Sequence, residues 1–268
     1  MNTLLTSEPL LRISAFVGVF ALMALWEVVA PRRAPRAAKG LRWANNVGMV
    51  AFNSLLLRII FPTTATGLAL LVAQHQWGLL NRLALPDFVR LILGVVALDL
   101  VIYFQHILFH AVPALWRLHR MHHADLDFDV TTGARFHPLE IVLSMLIKFS
   151  AITLLGPSAL AVLIFEILLN TTAMFNHANV RLPWRIDAVL RWIIVTPDMH
   201  RVHHSINPDE TNRNFGFNLS LWDRLLGTYR HHPAMGHTAM TIGIPEYRDP
   251  RQVNRIGGML LMPFRAAY

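Results

Sequence analysis

Eight histidines fall into three tight groups: His106 and His110 (HxxxH), His119, His122 and His123 (HxxHH), and His200, His203 and His204 (HxxHH). Side chains three and four residues apart share one face of a helix, so each group can aim its rings at a common point. Imidazole suits zinc, copper, iron and nickel, and one structural zinc takes about four ligands, so eight or more invite two metal ions. The absence of cysteine excludes thiolate ligands, cysteine nucleophiles and disulfides. Neutral ligands leave the metal charge uncancelled, so nearby carboxylates are expected to orient ring N–H groups and offset that charge. Asp99 is the first candidate, seven residues before His106 and close to the same helix face; Asp198, Glu140 and Asp223 follow.

The elements that must position these groups read as membrane helices. Of 268 residues, 54% are hydrophobic and only 15% charged, too apolar for an ordinary soluble domain. Apolar stretches cover 13–30, 47–73, 88–109 and 141–175. Gly156–Pro157 divides the last into 141–155 and 157–175, as in a hairpin of two short spans, which gives five crossings. The expected fold is all-α: one multi-span helical membrane domain over 1–268 with a cytoplasmic, histidine-rich helical cap holding a dinuclear metal site. The first span lacks the basic amino-terminal region and cleavage site of a removable signal peptide, and is expected to be retained.

Arg32, Arg33, Arg36, Lys39 and Arg42 lie between the first two spans and assign that loop to the cytoplasm. Counting onward, the hairpin leaves and returns, so all three histidine groups reach that same side; a single crossing between His123 and His200 would have separated them. The net charge of +8 is explained by arginines bunched beside apolar stretches, and no nucleic-acid motif accompanies it. Pro113 can open the helix carrying the second group, and Thr196-Pro197-Asp198 supplies an N-cap, a first-turn proline and an acidic residue for the third. Residues 207–214 read as a polar loop, and 259–264, flanked by Arg255 and Arg265, as a segment lying on the membrane surface.

The order HxxxH, HxxHH, HxxHH on a hairpin scaffold resembles the fatty acid hydroxylase and sterol desaturase superfamily. The likeness includes Asp99, LWRLHRMHH (115–123), RFHPLE (135–140), NHANV (176–180), TPDMHRVHH (196–204) and NFGFNLSLWDRLLGTYR (214–230), and covers roughly 88–230. Three residues separate the first histidine pair, which is similar to the sterol-desaturase-type branch. Ile107 stands where many members have arginine, and ETNRNFG (210–216) where many have ETDSNFG. The resemblance implies a di-iron centre that uses O2 to hydroxylate or desaturate a lipid such as a sterol or fatty acyl chain. It carries over as ligands His106, His110, His119, His122, His123, His200, His203 and His204, adds His177, and raises His137 from the HPxE element. His75, His231, His232 and His237 fall outside the motifs, as loop or surface residues.

Zinc could replace iron in a purified sample. Electrons must come from a separate donor (cytochrome b5-like, ferredoxin or flavoprotein reductase), since the chain has no GxGxxG fingerprint and no cysteines for an iron–sulfur cluster. Arg117, Arg120, Arg201 and Arg224 could dock such a donor or bind headgroups. Two other classes stay open: a zinc-dependent membrane lipid hydrolase with Glu140 or Glu210 as base, and a haem-binding electron-transfer protein. Trp116, Phe128, Phe149, Phe165, Phe175 and Trp192 read as packing or interface residues, and a bacterial inner membrane fits the compact unit.

Overall fold

The computed structural model describes residues 7–265. Its long helices are α1 (Glu8–Val29), α2 (Lys39–Ile60), α3 (Ala65–Gln74), α4 (Asp87–Ala111), α5 (Pro113–His123), α6 (Pro138–Leu155) and α7 (Ala159–Asn176); α8 (Pro197–His203) and α9 (Ile256–Leu261) follow, with a two-turn helix at Trp184–Leu190 and several shorter turns between. Among the described residues there are no strands, only isolated bridges such as Pro31 with Val180 and Ser205 with Ile242. Among the described residues five segments are long and apolar enough to cross a membrane: α1, the stretch Lys39–Arg82, α4, α6 and α7. Their outward faces carry exposed Leu22, Val28, Ile59, Leu93 and Leu154, which suits a hydrocarbon environment.

The expected span over 47–73 is broken in two. Pro62 disfavours helix at Phe61, which adopts an extended conformation, and Thr64 restarts the helix as an N-cap whose hydroxyl accepts from the Gly67 amide. The result is a full-length α2 followed by the short α3, which packs Ala65, Ala69 and Val72 against Leu98 and Ile102 of α4, Ile152 of α6 and Phe165 of α7. The hairpin between α6 and α7 turns where expected. Gly156 ends α6 in the left-handed conformation, and Gly78, extended but also at positive φ, packs so closely on it that a β-carbon at Gly78 would sit 2.3 Å from the Gly156 nitrogen.

At the opposite end the chain builds a polar layer. Glu27, at the end of α1, accepts from the amides of Val130 and Asn179, and the Arg36 amide donates to Asp127 Oδ2 at 2.7 Å. The arginine-rich loop between α1 and α2 therefore lies against the layer that carries the histidines. Residues 259–264 are only partly a surface segment: Met259 and Met262 are fully buried in a cluster with Met49, Met121 and Tyr247, while Leu261 and Phe264 face outward. Within 207–214, one helical turn, Pro208–Thr211, interrupts the expected loop, capped by Asn207.

Candidate metal centre

Nine histidines meet at the junction of α4, α5, α7 and α8. α4 carries the first pair to its last turns, Val112 breaks the helix ahead of Pro113, and α5 starts there with its three histidines on its final turn. Thr196 caps α8, its hydroxyl accepting from the Met199 amide, and Pro197 occupies the first turn. His177 sits at the C-cap of α7. The rings form two groups, each with its donor atoms within 4.8 Å of one another: His106, His110, His119, His123 and His203, and His122, His177, His200 and His204.

Hydrogen bonds at the outer nitrogens decide what these groups can hold. Nδ1 of His106, His122, His177 and His203 donates to the carbonyls of Phe215 (2.8 Å), Arg135 (3.2 Å), Ala173 (2.7 Å) and Arg213 (2.7 Å), which can only accept. In the neutral rings Nε2 is then a bare lone pair. Yet the Nε2 atoms of His203 and His106 stand 3.0 Å apart, and those of His177 and His122 3.1 Å apart, one such pair in each group. Two lone pairs at that distance repel unless a cation lies between them. A proton does not serve, because burial and neighbouring imidazoles push His122 and His203 well below the usual histidine range, and burial takes His177 down to about 4. His204 buries both ring nitrogens without a protein partner. The donor set thus fits a metal ion in each group.

Of the four carboxylates singled out from the sequence, the structure brings one to a ring of the two histidine groups. Glu140 Oε1 accepts from His119 Nδ1 at 2.6 Å, and its Oε2 has no partner. Asp223 acts one step removed, accepting the amides of Phe215 and Gly216 in the loop whose carbonyl holds His106; burial raises its carboxyl to about 6. The structure gives Asp99 and Asp198 other partners. Asp99 accepts from the Leu219 amide and the Trp222 indole, and Asp198 pairs with Arg32 and Arg201. His137 lies in neither group, its Nδ1 capping α6 at the Leu139 amide while Nε2 meets the Leu260 carbonyl. His237, read as a loop or surface residue, is buried 3.6 Å from Asp198.

The four docking arginines also find other work. Arg201 is buried against Asp198, Arg120 donates to the carbonyls of Met262 and Arg265, Arg117 to that of Pro263, and Arg224 lies over Trp192 and Tyr229. Glu210 is likewise engaged, with Arg230 and the Ala234 amide. What the sequence analysis missed is the support under the rings. The backbone carbonyls that fix four tautomers leave no trace in side-chain identity. The alternating Asp125, Asp127 and Asp129 directly after the second histidine group were a signal: Asp125 and Asp129 bind Arg42 and form the buried floor beneath α5.

From the rings a cavity of about 410 Å³ runs between the long helices. His106 and His119 stand at one end with Phe136 and Phe217, Ile102 and Met145 line its length, and Arg12, Lys148 and Glu166 stand at the other. One end is therefore a candidate metal site and the walls between are mostly apolar.

Sequence comparison agrees with this geometry. Residues 91–228, just over half of the chain, match the fatty acid hydroxylase family. The chain belongs to that family. It is 31% identical over 157 residues to an ornithine lipid hydroxylase of Rhizobium tropici (59% of this chain, 46% of the relative). It is 29% identical over 136 residues to an alkylglycerol monooxygenase of Xenopus tropicalis (49% and 28%), and 26% identical over 135 residues to a human cholesterol 25-hydroxylase (49% and 48%). The chain thus spans less than half the length of each of these relatives. No solved structure matches it.

Proposed function

We propose that this fatty acid hydroxylase family member is a membrane-bound oxygenase that holds two iron ions and uses O2 and external electrons to hydroxylate a C–H bond of a lipid. The carrying observation is the set of nine imidazoles in two groups, each with facing Nε2 lone pairs, at the end of a largely apolar cavity. The five-histidine group and the four-histidine group would each hold one ion. Iron bound there would supply the oxygen activation and hydrogen abstraction that no side chain present can perform. The names of the relatives, all lipid hydroxylases or monooxygenases, favour hydroxylation over desaturation.

The chain's own residues bind, orient and exclude water. Carbonyls of Phe215, Arg135, Ala173 and Arg213, together with Glu140, hold five rings in the tautomer that presents Nε2. Phe136 and Phe217 close the ring end of the cavity, and Ile102 and Met145 give the lipid chain an apolar path. The arginine loop packed on the histidine layer supports a cytoplasmic orientation of that layer, within reach of a separate electron donor, cytochrome b5-like, ferredoxin or flavoprotein reductase. A bacterial inner membrane suits this arrangement.

The test is metal content per purified chain after iron-replete expression, beside a variant with His203→Ala and His204→Ala. About two irons, lost in the variant, together with O2-dependent oxidation of a lipid, are the expected result. Zinc alone at one per chain, with no O2 dependence, would replace the oxygenase with a metal-dependent hydrolase.

A further inference from the structure

The far end of the cavity is chemically unlike its walls. Lys148 Nζ donates to Glu166 Oε1 at 2.6 Å, and Arg12 Nη2 donates to Glu166 Oε2 at 2.5 Å. Arg12 also meets Glu8 and the Thr66 hydroxyl, and both Glu8 and Thr66 stand behind it, outside the cavity. Lys148 lies seven residues before the end of α6, and Glu166 seven residues into α7. Both are therefore well inside candidate membrane spans, where charged side chains are costly and mark a function or a partner.

The hydrogen-bond inventory is unbalanced. An ammonium offers three N–H groups and a guanidinium five. Among the described residues Lys148 uses one, towards Glu166, and Arg12 Nη1 has no partner. Those spare donors belong to residues that line the cavity. A hydrocarbon terminus pressed against them would leave them unsatisfied, which is unfavourable; an acceptor oxygen would satisfy them. The cavity is also reachable from the lipid. A groove of about 310 Å³ between α1, α2 and α7 shares Arg12, Phe16, Val50, Ser54 and Glu166 with it.

We infer that this end is the head-group subsite for a lipid whose polar head presents a carbonyl or carboxylate oxygen to Lys148 and Arg12, with its chain running to His106 and His119. The inference rests on the lipid-oxidising function proposed above and names its substrate class. Glu140, Ser144 and Lys148 recur every four residues on α6 and all line the cavity. At a rise of about 1.5 Å per residue, Lys148 is about 12 Å along the axis from Glu140, which holds His119. The carbon presented to the rings is therefore in the chain and not the carbon next to the head.

The test measures binding alone, by native mass spectrometry of the intact chain, with palmitic acid, methyl palmitate and hexadecane at equal mole fraction. The wild-type chain is expected to take up the acid, the ester or both at least about tenfold more than the alkane, a difference of about 1.4 kcal/mol. Lys148→Met should reduce that preference to within about threefold, and Lys148→Arg should restore it, which separates recognition from a fold defect. Acid preferred over ester identifies a carboxylate head; equal uptake identifies the carbonyl both share. No preference in the wild type, or full preference kept in Lys148→Met, overturns the assignment. Because neither reductant nor turnover is involved, a chain that binds selectively but never oxidises lipid would sink the oxygenase reading and leave this one standing.

Discussion

The histidine groups, buried except for the half-buried His110, and the buried cluster around Arg42 are both polar and adjoin in sequence at His123 and Asp125, yet they treat burial in opposite ways. Arg42 places its guanidinium between Asp125 and Asp129; Asp125 also accepts from the Thr132 hydroxyl, and the Trp43 indole donates to Asp129. Every charge there has its counter-charge in the chain, and the Arg42 pair holds the Asp125 carboxyl below the usual range against its burial. The histidine groups have a single carboxylate against nine rings, Glu140 on His119, and a surplus of lone pairs, with His204 lacking any partner at either nitrogen. A buried polar region whose charges are matched within the chain, as Arg42 is by two aspartates although its Nε lacks a partner, is structural. One that stays open at a shared point is a site for something the chain does not supply.

If that contrast is right, the largest response should be to acid in the metal-free chain. Burial holds His122, His123, His200, His203 and His204 well below their ordinary range and His177 at about 4. Unfolded histidines protonate near pH 6.5, so as pH falls from there towards about 4 the unfolded chain takes up protons that the folded one refuses, and stability is lost. The unfolding temperature should drop over that window, and metal should protect. A flat profile would mean that the rings are solvated.

Arg42→Met should come next, destabilising the chain by about 3–5 kcal/mol by leaving buried aspartates unpaired. Thermal unfolding in detergent reads it, and the fraction that remains folded should keep its metal stoichiometry. Loss of metal without loss of stability would erase the distinction between floor and site. Glu140→Gln should weaken metal binding by about 10–100-fold while leaving the fold intact, since it frees the His119 ring without removing it. Competition with a chelator measures this, and an unchanged affinity would make Glu140 a packing residue. Smallest is His137→Ala, about 1 kcal/mol from a lost helix cap with metal content unchanged; loss of a metal equivalent would return His137 to the ligands.

Helix type, the hairpin at Gly156 and the meeting of eight histidines could be read from spacing, apolar run length and turn chemistry, because these are local quantities. His177 was visible only through family resemblance, as a lone histidine has no period of its own. The break at Pro62 carried a local signal that the run of apolar residues on either side obscured. Asp99 illustrates the opposite case: the spacing to His106 was sound, but the carboxylate turns to Trp222 and Leu219, partners more than a hundred residues away.

By itself the amino-acid sequence determined the raw materials of this protein: apolar runs of span length, three histidine groups at helical spacing, and an arginine-rich loop between the first two runs. Only the tertiary structure decided how the rings divide between two groups, which carbonyls fix their tautomers, that Glu140 alone of four carboxylates serves a ring, and that Arg12, Lys148 and Glu166 share a cavity with the histidines. Periodicity fixes which face of a helix a side chain occupies. Which groups converge depends on how helices distant in sequence pack, and that is set by the whole fold at once.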